Sequence, residues 1–277
     1  MDKLTATNIS NYLEDRKSKK ESDRSSSKIF KINYKDAEKD VLKNIKIKKD
    51  IEDDYKYCGL YVDKLPNVTE FLEKVTDNTD GENTNLSKII DRLVKKIVKG
   101  YNKKYIWISL RASYYNNYFD TPNWHIDGRY HPSDYELSKF VTVLLGEGTL
   151  IKEATDKSKE IFFETDAELT EQSKGKSMEE QRDIQKTFRK KFDDNLKDVK
   201  TIQLKNDEGL IFFSGYDNKN SQIHSEPKMD KPRLFLSIFA MDENGYENLK
   251  NRSQCKSMTG GYYNKYVKYQ SKCNRYK

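Results

Sequence analysis

Nowhere is this chain of 277 residues apolar for anything near the ~20 consecutive positions that a membrane-spanning helix requires. Its first residues, MDKLTATNISNYLEDRKSKK, lack the apolar centre of a signal peptide. These absences predict a soluble, intracellular protein with no membrane partner. Cysteine is scarce too: Cys58, Cys255 and Cys273 form no C-x-x-C pair. That argues against a disulfide framework and against a zinc site of the usual spacing, and predicts free thiols. No G-x-G-x-x-G, P-loop or G-x-S-x-G pattern occurs, so dinucleotide binding, P-loop phosphate binding and serine hydrolysis have no footing. Hydrophobic residues are also few, at 35%, no more than the 35% that are charged. A core must therefore come from concentrated segments. The length suits one large domain or two small ones.

The net charge of +7 is uneven. Residues 246–277 hold eight Lys and Arg against Glu247 alone, which leaves residues 1–245 balanced. In that tail Tyr262, Tyr263, Tyr266 and Tyr269 interleave with Lys265, Lys268 and Lys272. Rings that stack on bases, among cations that track phosphates, are how single strands are held. Nucleic acid bound through residues 246–277 is therefore one candidate partner.

Taken in order, residues 1–55 read as a peripheral, partly mobile arm, because the polar run 21–28 has no face to bury. A strand over 55–62 and a helix from Asn67 or Thr69 follow. Next, Ile89, Ile90, Leu93, Val94, Ile97 and Val98 recur at helical spacing, ended by Gly100. From residue 105 the pattern becomes β, with Ile106, Ile108, Leu110 and Ala112 on one face of a strand and Ser109, Arg111 and Ser113 on the other. Further strands are expected near 140–145, 149–151, 199–204, 210–214, 221–224 and 233–241. Residues 152–200 interrupt them with a short strand at 161–163 and an amphipathic helix over 178–196, an insertion over one rim and a candidate lid. The domain is thus expected at 56–245, with the insertion at 152–200 and the basic tail after it. The fold class is mainly β with flanking helices (α+β): a sheet sandwich or closed jelly roll with helices packed outside.

The chemistry centres on residues 124–127. His125 and Asp127 are two apart, so in an extended segment both side chains point the same way. About a hundred residues later comes His224, then Arg233 at the head of an apolar run. One carboxylate and two imidazoles suit a three-ligand iron site with open positions. His131, ahead of Pro132 in a loop, is an alternative ligand. Trp124, Phe212 and Phe213 read as core.

This order of features resembles the Fe(II)/2-oxoglutarate-dependent dioxygenases over about residues 105–242. The matching pieces are His125-Ile126-Asp127, then Gly209-Leu210-Ile211-Phe212-Phe213, then His224, then Arg233-Leu234-Phe235-Leu236-Ser237. More closely, WHIDGRYH, LLGEGTL, IHSEP and RLFLSIFAMD are similar to a poorly characterised branch of bacteria and large DNA viruses. The resemblance implies a double-stranded β-helix (jelly-roll) core, with iron held by His125, Asp127 and His224. It implies 2-oxoglutarate as cosubstrate, its far carboxylate on Arg233, and hydroxylation or oxidative demethylation with release of succinate and CO2. Arg111, Tyr114 and Tyr115 stand where relatives place a cosubstrate hydrogen-bond donor. Some relatives carry Ser two residues after the Arg; here that position is Phe235, and Ser237 lies four after Arg233 on its face. Replacing Asp127 with Ala is expected to remove turnover and leave the fold intact. Protein, nucleic acid and small molecules all remain open as substrate. Two other readings also stand: a catalytically silent β-sandwich binding module, and a nucleic-acid-binding protein acting through its basic tail.

Overall fold

Thr79 begins the helix on which the main sheet is built. Its hydroxyl accepts from the Glu82 amide while Glu82 reaches back to the Thr79 amide, a reciprocal cap that sets α4 (Asp80–Tyr101). Leu86, Ile90, Leu93, Val94 and Ile97 on one face of α4 are 0% exposed. They pack on Ile106, Ile108 and Leu110 of β3 (Tyr105–Ser113) and on Leu234, Leu236 and Ile238 of β9 (Arg233–Met241). Burying each such side chain contributes roughly 1.5–3 kcal/mol. The sequence period places this face correctly but ends the helix early. Gly100 lies within α4, and the turn out of it is made by Asn102 at φ 51°.

The computed structural model describes residues 1–114, 121–128, 137–215, 220–228 and 230–251. Tyr115, His131, Cys255, Cys273 and the tail beyond residue 251 lie outside these. Six antiparallel strands form the large sheet in the order β1-β7-β4-β9-β3-β2. The strands not yet placed are β1 (Ser27–Lys31), β2 (Glu52–Leu60), β4 (Leu137–Leu145) and β7 (Glu208–Ser214). A three-stranded sheet, β6-β5-β8, is built from β5 (Leu150–Lys152), β6 (Thr201–Gln203) and β8 (His224–Ser225). The fold is mainly antiparallel β with flanking helices, as the sequence pattern predicts. No helix among the described residues is long and apolar enough to cross a membrane.

Four expectations need correction. Residues 1–55 are not a peripheral arm. They supply α1 (Ala6–Ser18), α2 (Asp36–Lys43), strand β1 on the edge of the large sheet, and the start of β2. Leu4, Ile9, Phe30 and Ile32 are at most 2% exposed. These apolar residues are too thinly spaced to show a local face; their partners are α4 and the sheet. Second, residues 161–163 are helical, inside α5 (Asp156–Ser173), because Phe162 packs across the insertion on Phe188 and Phe192 of α6 (Met178–Asn195). Third, residues 243–251 form a helix, α7 (Glu243–Asn251), whose Leu249 is buried against Phe239 and Met241. The tail as drawn from residue 246 therefore begins inside a packed element. Fourth, Cys58 is disulfide-bonded rather than free.

The packing of α1 gives a direct test. A Cβ placed on Gly100 would lie 2.6 Å from the Ile9 side chain, so only glycine lets the helices approach this closely. Gly100→Ala is expected to cost about 1–3 kcal/mol through overpacking, read as a lowered urea midpoint at unchanged m-value.

Candidate metal centre

His125 and Asp127 sit in a segment pinned on three sides. Trp124 and Ile126, alternating with them, are buried in the core of the α5–α6 insertion. The Trp124 indole N–H donates to Asp193 of α6 (2.8 Å). His125 makes one bridge to His224, its amide donating to the His224 carbonyl (2.9 Å) and its carbonyl accepting from the His224 amide (3.0 Å). Finally, the Gly215 amide donates to the Asp127 carbonyl (2.9 Å). Gly128 allows that contact, since at φ 111° any Cβ would fall 2.5 Å from the Gly215 nitrogen. The segment is thus not a full strand but a two-way link between the small sheet and the end of β7.

These constraints bring three ligating groups together. One nitrogen from each of His125 and His224 and a carboxylate oxygen of Asp127 lie within 4.8 Å of one another. His125 Nε2 is 3.6 Å from Asp127 Oδ1, and His224 Nε2 is 3.5 Å from Asp127 Oδ2. Both tautomers follow from their second hydrogen bonds. His125 Nδ1 donates to the Asn123 carbonyl (2.7 Å) and His224 Nδ1 to the Gln222 carbonyl (3.0 Å). A carbonyl only accepts, so Nδ1 carries a proton in each ring and Nε2 is the atom turned to Asp127. Burial and the neighbouring His224 hold the His125 pKa down. Burial would push the Asp127 carboxyl up, but Lys139 and His224 outweigh it and keep it well below its usual range. The donor set is therefore two imidazoles and a carboxylate, each presenting a ligating atom to the same point.

The supporting residues reach the N-terminus. Gln222, whose carbonyl orients His224, is 1% exposed, and its side-chain oxygen accepts from Ser26 (2.9 Å) and Ser27 (2.7 Å). The segment read from sequence as an arm thus braces the distal histidine. Phe212 of β7 packs on the His224 ring at 4.5 Å between centroids.

Arg233 is 3% exposed at the head of β9, and its fork is engaged: Nε donates to the Glu147 carbonyl (3.0 Å) and Nη2 to the Thr149 hydroxyl (3.2 Å). Burial lowers its pKa to about 10, against the pull of Glu226, so it remains a cation at neutral pH. Arg111 points to the same side of the sheet and its Nη1 is 3.6 Å from Glu226 Oε1. Burial opposes charge on Glu226, but His125, Arg111 and Arg233 outweigh it and draw its pKa down to about 2. Tyr114 is not brought here. It alternates away from Arg111 and packs against the core on the helix side of the sheet. Ser237 is buried on the site face of β9, opposite Ser109 and Val141, but Arg233 takes its hydroxyl partner from Thr149.

Sequence reasoning missed four contributors: Lys139, Thr149, Gln222 and Glu226. Glu226 carries a readable signal, being two residues after His224 and so on the same side of an extended segment. Lys139 is a lone cation on the otherwise apolar inner face of β4. Thr149 and Gln222 carry none, because their roles depend on side chains distant in the chain.

A cavity of about 440 Å³ opens beside His125 and Asp127. One wall is the large sheet, with Trp107, Lys139 and Phe239. The other is the insertion, with Phe162, Asp166, Phe188 and Arg189. The insertion is therefore a wall of the site as well as a packed hairpin.

Among solved structures, the chain is similar to that of a prolyl-4-hydroxylase from Pseudomonas putida, at 10% identity and a TM-score of 0.36, covering 85% of this chain and 99% of that one. A likeness that loose bears on neither site nor activity. No family model matches the sequence, and no curated protein does.

Proposed function

We propose that the protein is an Fe(II)- and 2-oxoglutarate-dependent oxygenase whose two sheets are the walls of a double-stranded β-helix. It would hydroxylate or oxidatively demethylate a substrate seated in the cavity beside His125 and Asp127. One observation carries this reading: two imidazole Nε2 atoms, in the ligating tautomer, and one carboxylate meet within 4.8 Å. Such a donor set fits divalent iron and leaves coordination positions open. When bound, the iron and its cosubstrate supply the oxidising power for C–H chemistry, with succinate and CO2 as by-products.

The chain's own residues do the rest. His125, Asp127 and His224 hold the metal. Arg233, positioned by Thr149, offers a buried cation to the far carboxylate of the cosubstrate. Thr149 precedes by two residues Ile151, the register partner of His224, so the hydroxyl that holds Arg233 and the distal ligand come from neighbouring positions of the small sheet. Trp107, Phe239 and the insertion exclude water from the opposite side. Anaerobic addition of Fe(II) and 2-oxoglutarate should give a visible metal-to-ligand absorption band, and oxygen should then release succinate. Absence of both band and succinate would sink the reading, and metal binding without turnover would favour a silent binding module. A nucleic-acid role for the basic tail concerns residues outside those described. Truncation after Gly245 would also remove part of α7, so salt-sensitive oligonucleotide binding is better compared with and without residues 252–277.

Glu226 makes a sharper test of the cosubstrate end. It sets a negative charge beside the two arginines that an incoming carboxylate must approach. Removing a like charge several ångströms away is worth roughly 1 kcal/mol after solvent and salt screening. Glu226→Gln should therefore lower the KM for 2-oxoglutarate by about fivefold, with Fe(II) affinity unchanged.

A further inference from the structure

We infer that Lys139 is a positioning residue: it grips one oxygen of Asp127 and so presents the other, Oδ1, to the metal. This rests on the metal reading above and adds to it a residue outside the ligand triad. Lys139 lies on β4, between β7 and β9 in the large sheet. Register fixes its neighbours, Phe212 of β7 and Phe239 of β9. Phe239 is in turn opposite Trp107 of β3, on which it stacks at 5.3 Å. The result is one row across the sheet, Trp107–Phe239–Lys139–Phe212, with a single cation set among rings.

The Lys139 ammonium is 5.4 Å from the Phe239 centroid and 5.8 Å from that of Phe212, close enough to be held by both. Its side chain is only 15% exposed, and Nζ is 2.9 Å from Asp127 Oδ2. A carboxylate can bind a metal through one oxygen or both. With Oδ2 held by an ammonium that its rings keep in place, Asp127 is restricted to one-oxygen ligation. The position that the second oxygen would otherwise take would then stay open to other ligands, beside the cavity that His125, Asp127 and Lys139 all line. A plain structural ion pair explains this less well, because burying a cation on the inner face of a central strand is not a route to stability.

The test uses Co(II), bound anaerobically to the full-length protein and followed by its visible absorption, with no turnover involved. Lys139→Met should weaken Co(II) binding about 10–100-fold, the range for lost outer-shell partners, and should shift the visible band as the freed carboxylate swings. Lys139→Gln keeps an N–H donor and should fall between Met and wild type, so it decides the matter if the Met variant does not fold. Equal or tighter Co(II) binding with an unchanged band in the folded variant overturns the role of Lys139 while leaving the metal site standing. Failure of the wild-type protein to bind Co(II) overturns both.

Discussion

Replacing Asp127 with Ala is expected to weaken metal binding by at least about 100-fold, beyond what loss of an outer-shell partner does. The structure adds a cost that the sequence does not reveal. Asp127 is the partner of Lys139, and the two side chains are only 22% and 15% exposed. Breaking a fully buried pair by deleting one partner costs about 3–5 kcal/mol. Partial exposure here reduces that to roughly 1–3 kcal/mol. The expectation of an unaffected fold is therefore revised: Asp127→Ala should lower the urea midpoint as well as abolish metal binding. Two further variants separate the effects. Asp127→Asn keeps an oxygen acceptor for Lys139 and should recover most of the stability but little of the metal affinity. Asp127→Ala with Lys139→Met removes the stranded cation and should recover stability with no metal affinity. If Asp127→Ala bound Co(II) as the wild type does, the triad would not be a metal site.

Arg233 carries the second large expected effect, which under the proposed function falls on the cosubstrate instead. Truncating one partner of a buried, charge-assisted contact costs about 2–5 kcal/mol, which is roughly 30- to several-thousand-fold in affinity. Arg233→Ala should raise the dissociation constant for 2-oxoglutarate within that range, measured by anaerobic titration of the metal-to-ligand band. Binding of Fe(II) alone should be nearly unchanged, because Arg233 touches none of the three ligands. Arg233→Lys keeps the charge but not the fork that bonds Glu147 and Thr149 together, so a substantial part of the loss should persist. Thr149→Val offers a milder version, removing the hydroxyl that aims the guanidinium. If Arg233→Ala left 2-oxoglutarate affinity intact, the far carboxylate would have to lie elsewhere, with Arg111 the nearest alternative.

Several elements were legible before any tertiary contact was known, for a local reason. The face of α4 and the alternation along β3 are periodic patterns written within one segment. His125 and Asp127 are likewise two positions apart on one extended stretch, and the structure brings them to His224. Where reading failed, the decisive partner was remote. The apolar residues at positions 4, 9, 30 and 32 look sparse along the chain, yet meet α4 and the sheet in space. Residues 161–163 resemble a strand because three apolar residues in a row have no period of their own. In the structure they lie inside α5 and pack on the facing helix α6.

The sequence by itself determined which residue types could ligate, their order along the chain, and the alternation that sets the two ligands of the first segment on one side. Those are properties of covalent geometry and strand periodicity, and they need no partner. Tertiary structure alone decided the state of the site. It chose the histidine tautomers through the carbonyls of Asn123 and Gln222. It paired Asp127 with Lys139, gave Arg233 its hydroxyl from Thr149, and turned Tyr114 away. Each of these depends on a hydrogen bond or a strand register that joins distant parts of the chain, and the free energy of such a contact exists only once the fold has closed around it.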